Sequence, residues 1–403
     1  MTTETLAAPR AQSFNNLYLC MALLWLAGNG LRLTILAPAP VISLIHADLN
    51  LSETQVGLLS GIPAALFACA AVPGALLIAR FGARATLIFG LLATAAGSAL
   101  RGAAPDAATL FITTAITGFG VAVMQPAMPS LVRAWTPRHV ATATAIYTNG
   151  LLIGEVLPVA LTLPVVVPLV GGWRLDFAVW GGLCALIAVL VAMFAPRAIA
   201  APAHAAPQKW WPDWNNRLIW QLGAMMGCIT ACYFSTNFFI PRWLQVTGRA
   251  ADISAALVSL NLSQIPASLL LLFFGRGLAQ RNWPYSCAGI LCVVAMLCIV
   301  FGNSALVIAG AGMVGFASAS VLILMLSLPP ILSPADDVAR SAAGLLAIGY
   351  ACAVIVPVFC GIAWDLSGQP AMAFLPLGIY GVGLAVGALL VKIRPFRETQ
   401  AAK

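Results

Sequence analysis

The sequence predicts an all-α membrane protein with twelve transmembrane helices in two pseudo-symmetric six-helix halves. Three observations lead to this prediction: apolar stretches of about 20 residues, charges confined to the gaps between them, and a weak internal repeat. Of the 403 residues, 61% are hydrophobic and 8% are charged, against roughly 45–50% and 25% in an average soluble domain. Because backbone groups in hydrocarbon must be paired internally, each stretch is expected to be a helix.

We number the apolar stretches as spans 1 to 12 in chain order. Their predicted bounds are 17–41, 54–79, 85–102, 108–132, 141–168, 174–195, 217–244, 253–275, 284–302, 305–332, 339–363 and 370–391. The predicted domains are a cytoplasmic N-terminal segment (1–16), a six-helix bundle (17–195), a central cytoplasmic loop (196–216), a second six-helix bundle (217–391) and a cytoplasmic tail (392–403).

The distribution of Lys and Arg predicts the orientation. With the N-terminus in the cytoplasm, 15 of the 20 basic residues fall on the cytoplasmic side, and Arg32 lies within span 1. Four fall outside: Arg101, Arg174, Arg242 and Arg249. We therefore expect both termini in the cytoplasm of a bacterium with the chain in its inner membrane, and we call the ends of the spans inner and outer on this basis. The net charge of +8 reflects this bias, and no nucleic acid partner is expected.

The two halves echo each other in sequence. Residues 59–66 (LSGIPAAL) in span 2 match 262–269 (LSQIPASL) in span 8. Gly118-Phe119 in span 4 matches Gly315-Phe316 in span 10, and Pro158 in span 5 matches Pro357 in span 11. The offsets of 203, 197 and 199 residues agree, as expected for a duplicated six-helix unit. Two parallel six-helix halves are typical of the major facilitator architecture, in which substrate binds between the halves near the midplane.

Several segments resemble the cyanate permease and 2-nitroimidazole transporter family of that superfamily. They are Leu31-Arg32 followed by 47–52 (ADLNLS), 118–137 (GFGVAVMQPAMPSLVRAWTP), Tyr233 to Gln245, Gly349-Tyr350 and 364–368 (WDLSG). The resemblance runs from about residue 25 to 390 and implies a secondary transporter. Met124-Gln125 stands where the family usually has Gly-Asn, Gly30 where it has Asn, and Glu155 where a small residue is expected. The substrate therefore need not be cyanate.

Arg32 is the clearest functional candidate. An arginine at mid-membrane costs about 2.5–3.5 kcal/mol on insertion scales and usually faces the bundle interior or water. Its planar guanidinium group has five N–H donors, an arrangement that suits carboxylates and small oxyanions. We interpret it as the principal anion-binding group. The alternatives are a permanent pairing with a carboxylate or helix carbonyls, and an arginine that reaches the outer interface.

Glu155 is the second candidate. Arg32 and Glu155 lie about 15 and 14 residues beyond the start of spans 1 and 5, so both are expected roughly 21–22 Å into the membrane. A carboxylate beside an arginine in a medium of low dielectric is suited to switch between charged and protonated forms. Our hypothesis is that Arg32 pairs with Glu155 and exchanges it for the anionic substrate when Glu155 is protonated. A static ion pair is the alternative.

Polar residues on the spans that would line a cavity are further candidates. We favour Asn29, Gln125, Tyr233, Asn237 and Tyr350 as substrate-binding residues. Tyr147, Asn149, Asn261 and Gln264 are also possible. Each of these side chains is equally suited to form a hydrogen bond between helices without contacting a ligand. Arg242, Asp176 and Asp365 lie at outer ends, where they either form a gate or are simple interfacial charges.

The leading functional prediction is proton-coupled transport of a small anionic or weak-acid substrate by a monomer surrounded by lipid. Efflux of nitro-heterocycles by proton antiport is the alternative; Gly150 and Gly154 are a degenerate echo of an antiporter glycine motif. A passive channel or a membrane sensor is a further possibility. No GxxxxGK[ST] motif is present, and we expect no cofactor, no metal and no enzymatic activity.

Overall fold

The structure is a computed structural model that describes residues 14–69, 71–196, 214–274, 277–332 and 338–391. Across these residues the secondary structure is helical, with no strand. Most of the predicted N-terminal segment, central loop and C-terminal tail lies outside the described residues.

The helices follow the twelve predicted spans. In chain order they are Phe14–Gly30 and Pro38–Leu49 (span 1), Glu53–Cys69 and Ala71–Phe81 (2), Ala83–Gly102 (3), Ala107–Met124 and Ala127–Trp135 (4), Val140–Leu161 with Val167–Val170 (5), Trp173–Phe194 (6), Arg217–Val246 (7), Ile253–Leu262 and Gln264–Phe274 (8), Trp283–Phe301 (9), Ser304–Leu326 and Pro329–Leu332 (10), Val338–Ser367 (11) and Leu375–Leu390 (12). Ten of the described helices are long and apolar enough to cross a membrane.

Span 1 differs from its prediction because it is broken in the middle. The first helix ends at Gly30, turns occupy 31–37, and the second helix runs from Pro38 to Leu49, beyond the predicted end at residue 41. Pro38 at the start of the second helix has no N–H group, so it cannot donate the hydrogen bond that the carbonyl of Thr34 would accept in a continuous helix. Arg32 therefore lies in the break and not in a regular helix.

Arg101 stabilises this break. It lies at the end of span 3, which is the predicted outer end, where it is fully buried and its Nη1 donates a 2.7 Å hydrogen bond to the carbonyl oxygen of Thr34. Its guanidinium also lies 5.8 Å from the ring centroid of Phe177 in span 6. A break in a helix leaves carbonyl groups without their usual partners, and Arg101 pairs one of them.

The spans of the first six-helix group contact those of the second at several places. Span 2 packs along span 11, span 5 packs on span 8, and span 1 packs on span 7. The closest approach is near the outer end, where a Cβ atom on Gly57 would lie 2.1 Å from the carbonyl oxygen of Pro357, and one on Gly361 would lie 2.2 Å from that of Glu53. These glycines allow spans 2 and 11 to touch through their backbones.

Gly57→Val is expected to hold the outer ends of spans 2 and 11 apart. Overpacking a close contact costs about 1–3 kcal/mol, which corresponds to roughly a 5- to 150-fold shift in a conformational equilibrium. Spin labels at Leu44 and Leu366, both exposed, should move apart in a background without the ten native cysteines. Gly182→Val is the control, since nothing lies within 4 Å of a Cβ there. Unchanged label distances in Gly57→Val would contradict the prediction.

Candidate functional site

An ion pair between spans 1 and 5 forms the centre of the candidate site. Arg32 Nε lies 3.4 Å from Glu155 Oε1, and the two side chains are 19% and 8% exposed. The break in span 1 directs Arg32 into the interior, where its guanidinium also lies 5.6 Å from the ring centroid of Phe67. The structure thus brings together the two residues that the depth argument placed at the same level.

Side chains from spans 7 and 8 complete the surroundings of Glu155. Gln264 Nε2 donates a 2.8 Å hydrogen bond to Glu155 Oε2, and the hydroxyl of Tyr233 lies 3.1 Å from the same oxygen. The Tyr233 hydroxyl also lies 2.6 Å from Asn261 Oδ1, and Asn261 Nδ2 donates to Asn237 Oδ1 at 3.0 Å. The polar network therefore joins the two six-helix groups through one carboxylate.

This network borders a cavity of about 60 Å³. Its lining includes Arg32, Glu155, Tyr233, Gln264, Thr230, Phe234, Ser318 and Tyr350. The Oγ atom of Ser318 is buried and has no hydrogen-bond partner among the described residues, so it is a free polar group in the wall. Phe67 packs edge-on against Tyr350 with ring centroids 5.7 Å apart, which puts an aromatic surface beside the guanidinium.

Five of the predicted site residues line this cavity: Arg32, Glu155, Tyr233, Gln264 and Tyr350. Asn237 is one step away, fully buried, with its Nδ2 donating to the Tyr233 carbonyl. Asn29 does not reach the cavity, because its Nδ2 donates to the carbonyl of Trp25 in its own helix and its backbone packs on Gly154.

Gln125 lies farther toward the inner end, where Pro126 interrupts span 4. It lines a second cavity of about 470 Å³ together with Phe67, Tyr147 and Tyr350. A third cavity of about 640 Å³ lies between spans 5, 8 and 10 and includes Asn149 and Ser268. Both cavities are on the inner side of the Arg32–Glu155 pair, and Tyr350 borders both the second cavity and the central one.

Sequence reasoning missed Phe67 and Ser318. Phe67 directly follows the repeated segment 59–66, which was a usable signal, since repeated segments of the two halves meet at the interface between them. No comparable signal marked Ser318, because serine is common in transmembrane helices and its position depends on how span 10 is rotated.

The model of the Major Facilitator Superfamily matches residues 22–330. The chain belongs to this superfamily. It is a multi-pass membrane protein of the transporter type, in agreement with the predicted fold class.

Two curated relatives come from Escherichia coli (strain K12). The chain is 25% identical to the 2-nitroimidazole transporter over 387 residues, which is 93% of this chain and 95% of that protein. It is 24% identical to the cyanate transport protein CynX over 388 residues, 94% of this chain and 98% of that protein. These relatives confirm the resemblance found in the sequence.

Among solved structures, this fold is similar to a bacterial homologue of the human lysosomal transporter Spinster in an inward-facing and unoccupied conformation. The TM-score is 0.73 at 16% identity, covering 97% of this chain and 96% of the other. At this level of identity the similarity concerns the fold alone.

Charged side chains from both six-helix groups close the outer end of this superfamily member. Arg242 of span 7 donates to Glu53 of span 2 through Nη2 at 2.5 Å and through Nε at 3.1 Å. His46 Nε2 lies 3.4 Å from the same carboxylate. Asp365 of span 11 accepts hydrogen bonds from the backbone N–H groups of Glu53 and Thr54. We call these four side chains, Arg242, Glu53, His46 and Asp365, the outer cluster.

The three residues considered for a gate thus differ in their surroundings. Arg242 and Asp365 belong to the outer cluster and contact the other six-helix group, as a gate requires. Asp176 is buried within its own group, where its Oδ1 accepts hydrogen bonds from Thr162 and Trp180. Its contacts therefore join spans 5 and 6 and do not cross between the groups.

Glu53→Gln is expected to favour opening of the outer end. Removing one partner of a buried ion pair costs about 3–5 kcal/mol, and this destabilises the closed state, in which Arg242 stays buried. Opening of the outer end hydrates the guanidinium and removes that destabilisation. The Leu44 and Leu366 labels should again report a longer distance. The control is Asp48→Asn, which breaks the exposed Arg174–Asp48 pair, worth about 0–1 kcal/mol. Equal label distances in the two variants would contradict a gating role.

Proposed function

We propose that this transporter carries a small anion, such as cyanate or a small carboxylate or oxyanion, together with a proton by alternating access. The chain would lie in the inner membrane of a bacterium with both termini in the cytoplasm. Its two halves, 17–195 and 217–391, would move against each other around the Arg32–Glu155 pair. Arg32 binds the anion, and Glu155 carries the proton.

The observation that supports this proposal is the position of the ion pair. Glu155 accepts hydrogen bonds from Gln264 of the opposite six-helix group and pairs with Arg32 of its own group. An anion that takes the place of Glu155 on Arg32 would change contacts between the two groups. Such a difference in contacts between two states is what a ligand needs to shift a conformational equilibrium.

The size of the central cavity favours a small substrate. Its volume is about 60 Å³, and one water needs about 10–15 Å³ of such space, so it admits only a few non-hydrogen atoms. Ser318 and Tyr350 add hydroxyl groups to its wall, whereas the hydroxyl of Thr230 donates to the carbonyl of Gly349 at 2.8 Å. The donors and the volume together suit a three- or four-atom anion.

Transport in proteoliposomes of the purified full chain tests this function. Labelled cyanate or formate should enter faster than in protein-free liposomes, and an inward proton gradient should drive accumulation. Unlabelled anion inside should accelerate entry of the labelled anion, which distinguishes a carrier from a passive channel or a sensor. If none of a panel of small anions is bound in a thermal-shift assay or carried, the proposed function is wrong.

Efflux of small nitro-heterocycles by proton antiport is the second candidate. The observation that favours it is the aromatic edge formed by Phe67 and Tyr350, which opens toward the 470 Å³ inner cavity. The relative that transports 2-nitroimidazole makes this class the natural comparison in the same assay. Drug-dependent proton movement without any anion transport would favour efflux.

A further inference from the structure

We propose that Glu155 passes its proton to the bound anion, so that the substrate leaves toward the cytoplasm as a neutral acid. This inference rests on the proposed function and narrows the substrate class to conjugate bases of weak acids. It follows from the contrast between the single cation at the centre and the uncharged path on the inner side.

The path to the inner end begins at the central cavity. Arg32 and Glu155 are its charged residues, and none of the described residues that line the two inner cavities is charged. Their polar groups are hydroxyls and amides, such as Tyr147, Gln125 and Asn149. An anion leaving Arg32 in this direction would lose its only cation and gain none within these walls.

The opposite direction has a different charge pattern. The outer end carries Arg242 in the outer cluster and Arg174 and Arg249 nearby, each with part of its surface exposed. These cations have carboxylate partners, Glu53 for Arg242 and Asp48 for Arg174, so the outer end carries charges of both signs. The described residues that line the two inner cavities carry no charge of either sign, so this side disfavours departure as an anion.

The surroundings of Glu155 permit it to hold and release a proton. The groups that face it are Arg32 of span 1, Tyr233 of span 7, Gln264 of span 8 and Tyr350 of span 11. The phenol of Tyr233 has one proton, which it can donate to Asn261 Oδ1 at 2.6 Å. Its oxygen then accepts a hydrogen bond from protonated Glu155, so both protonation states of the carboxyl group have a partner.

The step balances as a simple proton transfer. A proton taken up from the outer aqueous phase is held as the O–H of Glu155, and the anion occupies Arg32. The O–H bond of Glu155 then breaks while an O–H or N–H bond forms on the anion, giving a neutral acid and a carboxylate. The carboxylate returns to Arg32, which produces the pair in the structure at 3.4 Å. A neutral hydrogen-bonding molecule crosses an apolar path far more easily than an ion.

Pairs of anions with nearly the same shape but different basicity test this step. Cyanate and nitrite have weak conjugate acids, whereas thiocyanate and nitrate have strong ones. Uptake of each anion is measured in proteoliposomes at a fixed pH gradient. Permeation of the free acids is measured in protein-free liposomes and subtracted. All four anions should bind in a thermal-shift assay, but nitrate and thiocyanate should be carried at least about 100-fold more slowly.

Glu155→Gln provides the matched variant, because glutamine keeps the shape but carries no acidic proton. It should bind all four anions and carry none of them at the rate of the unmodified protein. Transport of nitrate and thiocyanate at rates similar to those of nitrite and cyanate would overturn the inference and leave the proposed function intact. If the unmodified protein binds none of the four anions, both this inference and the proposed function are wrong.

Discussion

Replacing Arg32 by glutamine is expected to abolish transport of small anions. The substitution removes the cation of the central cavity and leaves Glu155 buried without its counter-ion. Loss of one partner of a buried pair costs about 3–5 kcal/mol, so a lower melting temperature is expected as well. The measurements are counterflow of labelled anion and the thermal shift produced by the same anion.

The double variant Arg32→Gln/Glu155→Gln separates binding from stability. Because no charge is then left unpaired, its melting temperature should recover, whereas anion binding and counterflow should remain absent. Arg133→Gln is the matched control, since Arg133 is exposed at the inner end of span 4. Anion-induced stabilisation in the double variant would show that another group binds the substrate.

The second large effect is expected for Glu155→Gln, which should remove the coupling between the proton gradient and anion uptake. One pH unit across the membrane provides about 1.36 kcal/mol per proton, which is sufficient for about a tenfold accumulation. In the variant the ratio of inside to outside anion should stay near one. Asp48→Asn, which removes an exposed carboxylate, should accumulate the anion normally.

The same experiment distinguishes the proton switch from a static ion pair. If Glu155 only stabilises Arg32, the variant should bind the anion less well and carry it more slowly. The anion that it does carry should still reach the same ratio of inside to outside concentration under a pH gradient. A preserved accumulation ratio would therefore contradict the role of Glu155 as proton carrier. If Glu155 is a proton switch, the variant should still bind the anion but should no longer accumulate it inside the liposomes.

Hydropathy and charge were sufficient to predict the number and order of the spans, because length and apolar character follow directly from the bilayer. They could not predict the break in span 1, since residues 31–37 are as apolar as the rest of the span apart from Arg32 and Thr34. The local signals were Gly28 and Gly30 before this stretch and Pro38 and Pro40 after it, and such residues are also common within transmembrane helices. The break places Arg32 in the cavity, whereas Asn29, at the end of the preceding helix, stays against span 5.

Depth along a helix could be predicted, but rotation about its axis could not. Arg32 and Glu155 were placed together because both are charged and must avoid lipid. An uncharged residue such as Ser318 carries no such constraint, and the helix that holds it, Ser304–Leu326, is apolar on all sides. The count of basic residues on each side also could not show that the guanidinium of Arg101 is fully buried.

The contact of Asp365 with the start of span 2 has a consequence for the transport cycle. A helix N-terminus has free N–H groups, and here a residue from another helix, more than 300 positions away in the chain, satisfies those of Glu53 and Thr54. Separation of the outer ends would expose these amides to water, at a cost of about 0.5–2 kcal/mol for the lost cap. Deuterium uptake at these two backbone positions would then report how often the molecule opens outward, without any label attached to it.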